Sequence, residues 1–287
     1  MTNFLSHCLE VLRAADRDRY ISVLFAPQKK REALAALYAF NVEISRIRES
    51  VSDPFIGEMR LRWWYDSIAN NEIQQNANNP IMNQLLTTIT LYNLPRKVFL
   101  HYCDARIFDL YSDSMATIHD LESYYNKTAS AILHLSCQIL DSDISQNFSD
   151  VCKHGGIAQA LSGLLRLLPL MQSRYQSYFP SDMLKAVGVE REELERNCVN
   201  NEQKKRIIEA IIALSQDHYL KFYEQFIALP KILKPAFLPL AITPASLQKA
   251  IRLGAAIFQE DARLSLLYRY CLITKAAISG KLPKLLQ

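Results

Sequence analysis

The chain has 287 residues, 49% of them hydrophobic, with 33 basic and 29 acidic side chains and a net charge of +4. Its 7 glycines and 11 prolines leave no Gly/Ser-rich linker, so residues 1–287 read as one domain with a substantial core. The basic residues are dispersed rather than gathered on one face, which argues against nucleic acid as a partner.

Apolar residues recur at helical spacing nearly throughout and strand-like alternation is almost absent, so the predicted class is all-α. After Pro27 a long helix is predicted in which Leu34, Leu37, Asn41, Ile44, Arg48 and Val51 share one stripe, polar only at Asn41 and Arg48. Ser52-Asp53-Pro54 starts the next helix, which runs past Trp63 and Trp64 to about 68, because proline presets the φ of a first turn. Residues 71–79 read as a loop, and helices follow over 80–92, over 95–111 behind Pro95, and over 118–140. From 150 a helix passes through Gly155-Gly156 to 168. There Pro169 is expected to end or kink it, since proline lacks an amide donor and crowds the preceding turn. Beyond an irregular segment, Pro180-Ser181-Asp182 starts a short helix and 190–197 forms another. A long helix over 202–229 carries Ile207, Ile208, Ile211, Ile212, Leu214 and Tyr219 on its apolar side. Helices over 244–258 and 261–278 complete the pattern.

The six cysteines, Cys8, Cys103, Cys137, Cys152, Cys198 and Cys271, lack the short paired spacing of zinc or redox sites and are expected to be free thiols in a reducing compartment. His134 and His154 read as isolated helix histidines, and Gly155-Gly156 as a close helix contact rather than a phosphate loop. Lys29-Lys30-Arg31 and Lys204-Lys205-Arg206 read as solvated faces. The first twenty residues hold Glu10, Asp16 and Asp18 without an apolar core and cleavage site, and no apolar run reaches the roughly 18 residues of a membrane span. The expected location is cytoplasmic, with peripheral contact to the inner membrane compatible with the sequence.

Tyr38-Ala39-Phe40, Trp63-Trp64, Tyr124-Tyr125 with Ala129, Gly156, Leu165-Arg166, Arg174 and Tyr178-Phe179-Pro180 follow one another in an order and spacing that resemble the squalene/phytoene synthase family over roughly residues 15–270. The resemblance implies a single isoprenoid-synthase-type helical bundle with a central cavity. Enzymes of that family join two prenyl diphosphates head to head and hold the diphosphates through magnesium on two aspartate-rich motifs. Magnesium demands oxygen ligands near octahedral geometry, which aspartates three or four residues apart supply from one helix face.

Carried onto this chain, the first motif falls on Ser45, Arg46 and Glu49 and the second on Leu167 and Met171. Only Glu49 is a carboxylate. Arg46 is expected to pair with Glu49 one turn away, Glu43 lies about 120° around the helix from Glu49, and a polar family position falls on Gly163. Tyr38, Tyr124, Arg166 and Arg174 keep the family's residue types. The candidate cavity residues are therefore Tyr38, Arg46, Glu49, Tyr124, Arg166 and Arg174, with no catalytic residue and no metal ligand assigned.

Arg46, Arg48, Arg166 and Arg174 are candidates for a metal-free anion site, with structural ion pairs as the alternative. Trp63, Trp64, Tyr124 and Tyr125 read more simply as core than as a hydrocarbon pocket. Within the family, Ala39-Phe40-Asn41-Val42-Glu43, Ser50-Val51-Ser52, Ile56-Gly57-Glu58-Met59-Arg60 and Pro235-Ala236-Phe237-Leu238 look like the branch that includes a mitochondrial assembly factor for respiratory complex I and its bacterial relatives. The expected function is that of a pseudoenzyme without a cofactor, which binds a protein partner in respiratory-chain assembly and takes a prenyl diphosphate or an anionic lipid as ligand. The alternative is a magnesium-dependent prenyltransferase whose carboxylates converge from other positions.

Overall fold

The computed structural model describes residues 2–71, 79–111, 113–173 and 178–285. Among them there is no strand, and helices follow one another across short connections. In chain order these are α1 (Thr2–Ala15), α2 (Arg17–Leu24), α3 (Gln28–Ser45), α4 (Ile47–Ser50), α5 (Pro54–Asn70), α6 (Pro80–Leu91), α7 (Arg96–Ile107), α8 (Ile118–Tyr125), α9 (Ala131–Leu140), α10 (Ser142–Ser145), α11 (Ser149–Ser173), α12 (Ser181–Ala186), α13 (Arg191–Glu195), α14 (Asn201–Phe226), α15 (Thr243–Leu253) and α16 (Leu266–Ser279).

Helix starts follow local chemistry. The Asp53 carboxylate accepts from Phe55 N at 2.9 Å and the Asn79 side chain from Met82 N at 3.0 Å, each with proline in the first turn. Thr117 with Asp120 and Asn200 with Gln203 close capping boxes on α8 and α14.

Helix α3 is the centre of the bundle. Every residue from Ala33 to Val42 is buried, so the helix presents no polar face and must be surrounded on all sides. It packs on α1, α6 and α9, and Phe40 meets Trp64, Phe99 and Tyr102 at ring distances of 5.3–5.6 Å. A second cluster gathers where α11 and α14 run along each other, with Leu161, Leu165, Ile207 and Ile211 at its heart.

Several predicted boundaries are corrected. The helix expected to run to Val51 stops at Ser45, and Arg46, at φ −93° and ψ −5°, turns the chain into α4. The stretch over 118–140 is interrupted by a π-helical turn, Asn126–Ser130. Helix α11 does not end at Pro169 but continues to Ser173; proline's own φ is helical, so the loss is confined to one backbone bond. The 202–229 helix ends at Phe226, and the 244–258 helix ends at Leu253, where Gly254 takes φ +50°. The last helix begins at Leu266 rather than 261, and α1 and α2 precede the first helix expected from the sequence. The predicted loop over 71–79 falls largely on 72–78, outside the described residues.

Candidate functional site

Two groups of buried charge lie against the central helix. The first starts at α2, where the Asp16 carboxylate accepts from the Arg19 backbone at 3.1 Å and from its Nη1 at 2.7 Å. That pair fixes the Arg19 guanidinium 5.4 Å from the centre of the Tyr38 ring. On the next turn Asp18, 8% exposed, accepts from Arg269 Nε at 2.9 Å and Nη2 at 2.7 Å, bringing α16 onto α2. Burial pushes the Asp18 carboxyl above its ordinary value, and Arg269 only partly opposes this.

Arg166 of α11 completes the group. Burial pulls its guanidinium below the ordinary value; Asp18 and Asp16 oppose that shift, while Arg269 and Arg19 add to it. Its Nε is buried and has no hydrogen-bond partner among the described residues. Among the described residues, the guanidinium groups of Arg19, Arg166 and Arg269 thus stand against the carboxylates of Asp16 and Asp18.

The second group is organised by Asp109. It accepts from Arg106 Nη1 at 2.9 Å, from the Tyr124 hydroxyl at 2.5 Å and from the Tyr178 hydroxyl at 2.9 Å. Arg106 also reaches the Tyr124 and Tyr102 hydroxyls, at 3.0 and 3.1 Å, and Tyr102 donates to Asn41 Oδ1 on α3 at 2.8 Å. Burial pulls the Arg106 guanidinium down, but Tyr102, Tyr124 and Asp109 outweigh it and hold the group well above its ordinary value. Burial holds the Tyr124 hydroxyl well above its ordinary value, so it remains a donor.

A family model described as squalene/phytoene synthase matches residues 12–268. The chain belongs to the squalene/phytoene synthase family. Two curated relatives named complex I assembly factor 6 are each 30% identical: the human protein over 92% of this chain and 80% of its own length, the rat protein over 89% and 76%. Among solved structures, a dehydrosqualene synthase in complex with a ligand superposes with a TM-score of 0.80 over 96% of both chains at 16% identity. A squalene synthase from Alicyclobacillus acidocaldarius gives 0.73 over 88% of this chain and 94% of its own, at 18% identity. Identities this low speak for the isoprenoid-synthase fold alone.

The structure divides the residues singled out from the family pattern. Tyr38 and Arg166 share the Arg19 group, and Tyr124 belongs to the Asp109 group. Arg46 and Glu49 lie elsewhere, in an open cleft of about 650 Å³ with Glu43, Arg60, Trp63 and Trp64. The expected Arg46–Glu49 pair is absent, because the backbone turns at Arg46 and α4 begins beyond it. Ser45 spends its hydroxyl on the Val42 carbonyl at 3.1 Å, Arg48 keeps a buried Nε without a partner among the described residues, and Leu167 is 50% exposed. A side chain at Gly163 would approach Arg166, 3.6 Å from the Cβ position. Met171 is placed on α11 by its backbone, and Arg174 lies outside the described residues.

Arg19, Asp16, Asp18, Arg269, Arg106, Asp109 and Tyr102 were not singled out in the sequence. The Arg106–Asp109 pair sits at i,i+3 among apolar residues, a pattern that could have marked it; the Asp18–Arg269 pair spans 251 residues and leaves no local trace.

The histidines are corrected too. His154 is not isolated: its Nδ1 lies 2.9 Å from Nδ1 of the buried His218, whose Nε2 is 3.0 Å from Glu122. His134 lies beside Cys152 and takes the Gln138 amide at its Nε2, at 3.3 Å. Gly156 is the close helix contact expected, with no room for a Cβ against the Ser130 backbone. Among the described residues no three His, Cys, Asp or Glu side chains converge as metal ligands, and no helix is long and apolar enough to cross a membrane.

Proposed function

We propose that this chain is a non-catalytic member of the family that acts by binding, as an assembly factor for the respiratory chain. The observation that carries this reading is the 30% identity to complex I assembly factor 6 across 92% of the chain, against 16–18% to the synthases of the same fold. The side chains at the family's metal positions support it. Ser45, Arg46 and Glu49 offer a bonded hydroxyl, a cation and one carboxylate, and Leu167 offers no oxygen, a set that does not fit magnesium. Asp16, Asp18 and Asp109 are each held by an arginine instead.

The Arg19–Arg166–Arg269 group supports a phosphate-bearing ligand beside it, because guanidinium groups bind phosphate oxygens directly. Peripheral contact with an anionic membrane is supported by a groove of about 640 Å³ between the end of α14 and the end of α16. Lys231, Lys234, Lys281 and Lys284 line it beside Phe25, Ile227 and Ile278, and no acidic side chain is among its described lining residues. Exposed apolar groups rimmed by lysine suit a lipid surface with negative headgroups.

The test is recovery of partners from the native cell with the tagged full chain under mild detergent, scored for NADH dehydrogenase subunits by mass spectrometry. Enrichment of those subunits over an unrelated bait is expected. Their absence, with assembly of that enzyme unaffected in a strain lacking the chain, would remove the assembly role.

A further inference from the structure

Helices α9 and α11 bring together two cysteines that the sequence separates by fifteen residues. Cys152 Sγ lies 3.8 Å from Cys137 Sγ, a van der Waals contact, and a disulfide between them requires χ1 rotation that brings the sulfurs to about 2.05 Å. Cys137 is fully buried and stands behind Cys152, whereas Cys152, 1% exposed, forms part of the wall of a pocket of about 260 Å³ that opens to solvent.

The pocket is built around that sulfur. His134, His101, Lys127 and Lys153 line the pocket with Cys152, and no acidic side chain is among its described lining residues. Its floor includes Asn126, Lys127 and Ser130 of the π-helical turn, an irregularity that proteins use mostly at functional positions. The turn is held in place from α11, since Ser130 donates to the Lys153 carbonyl at 2.9 Å and packs on Gly156.

Both cysteines belong to the hydrophobic core, whereas the basic side chains beside Cys152 in the pocket wall do not. A cation-lined pocket lowers the cost of a thiolate, and the thiolate is the nucleophile. Contact with Cys137 lowers the Cys152 thiol, burial opposes that and His134 adds to it, while burial holds the Cys137 thiol well above its ordinary value. The two sulfurs are unequal in access, since Cys152 lines the pocket and the fully buried Cys137 stands behind it.

We propose that Cys137 and Cys152 form a peroxide-reactive dithiol, in which Cys152 is oxidised by a small hydroperoxide entering the pocket and Cys137 resolves it to a disulfide. The Cys152 thiolate attacks the outer oxygen of ROOH, the O–O bond breaks, and an alcohol (water, for hydrogen peroxide) leaves after taking a proton. Cys137 then displaces water from the Cys152 sulfenic acid, and the S–S bond forms. The sum is two thiols and one hydroperoxide giving one disulfide, one alcohol and one water. The oxidised link would act on the central helix through α9, because Cys137 lies on α9 and α9 packs on α3.

The test uses the reduced full-length chain and hydrogen peroxide. Residues 128–153 contain no internal Lys or Arg, so trypsin releases both cysteines in one peptide. That peptide should become two hydrogens lighter and resist alkylation about tenfold faster than the exposed Cys198 and Cys271 react, as a larger thiolate fraction requires. Cys137→Ser should leave a dimedone-trappable sulfenic acid on Cys152, Cys152→Ser should leave Cys137 unreactive, and His134→Gln should slow the wild-type reaction. If the 128–153 peptide stays reduced while Cys198 and Cys271 oxidise, or if Cys137 reacts equally well in Cys152→Ser, the dithiol is refuted. Mapping the unsubstituted chain decides the first point even where a variant fails to fold.

Discussion

Asp109→Ala removes the one carboxylate that Arg106 contacts among the described residues. Asp109 has a side chain 10% exposed and that of Arg106 is 18% exposed, so water has little access to replace the lost partner. The substitution strands a guanidinium and removes the acceptor of the Tyr124 and Tyr178 hydroxyls. Breaking a buried pair from one side costs about 3–5 kcal/mol, and at a urea slope of about 3 kcal/mol per molar the midpoint falls by roughly 1–1.7 M. Asp109→Asn keeps an oxygen for the two tyrosines and isolates the charge, at about 1.5–3 kcal/mol. Urea unfolding followed by far-UV circular dichroism at pH 7 measures both. A loss below about 1 kcal/mol in Asp109→Ala would show that the group is solvated and weak, and that the buried ion pairs do not hold α7, α8 and the Tyr178 segment together.

Gly156→Ala places a methyl group in the Ser130 backbone and should cost about 1–3 kcal/mol by overpacking; an unchanged thermal midpoint would mean that the π-helical turn yields freely. His154 is held below its ordinary pKa, first by burial and then by His218, Lys153 and Lys221, with Asp150 opposing. The unfolded chain therefore binds this proton more readily, so the stability contribution is complete above about pH 6.5 and is lost as pH falls through the lower folded value. His154→Gln should flatten that part of the pH–midpoint curve, and an equally steep fall in the variant would assign it to other groups. Charge reversal of Lys231 and Lys281, two lysines of the groove, should abolish flotation with phosphatidylglycerol vesicles and leave phosphatidylcholine vesicles unaffected; flotation that survives reversal would exclude the groove as the lipid contact.

What was legible in the sequence was local. Asp53-Pro54, Asn79-Pro80 and Pro95 announced the starts of α5, α6 and α7, because a cap and a preset φ act within one turn. The buried face of α14 was readable from its isoleucines, and the polar residues amid that pattern, Ser215 and His218, were a signal left unused. The π-helical turn was not legible, since it is imposed by contact with Gly156 and Lys153 on another helix. Nor was the break at Arg46, which occurs inside a favourable helical pattern.

The candidate site divided in the same way. Tyr38, Tyr124 and Arg166 were marked by family resemblance. Their partners Arg19, Asp18, Arg269 and Asp109 are joined by contacts across 15 to 251 residues, which no periodicity encodes. The dithiol escaped notice because its cysteines face each other across two helices rather than within one short motif.

A non-catalytic member of the family does not turn over prenyl diphosphates. Incubating the full-length chain with farnesyl or geranylgeranyl diphosphate and magnesium, and following inorganic diphosphate against a no-protein control, tests it directly. A pseudoenzyme releases none above that control. Magnesium-dependent release at about 1 per second or faster, within the usual range of enzymes, would contradict it.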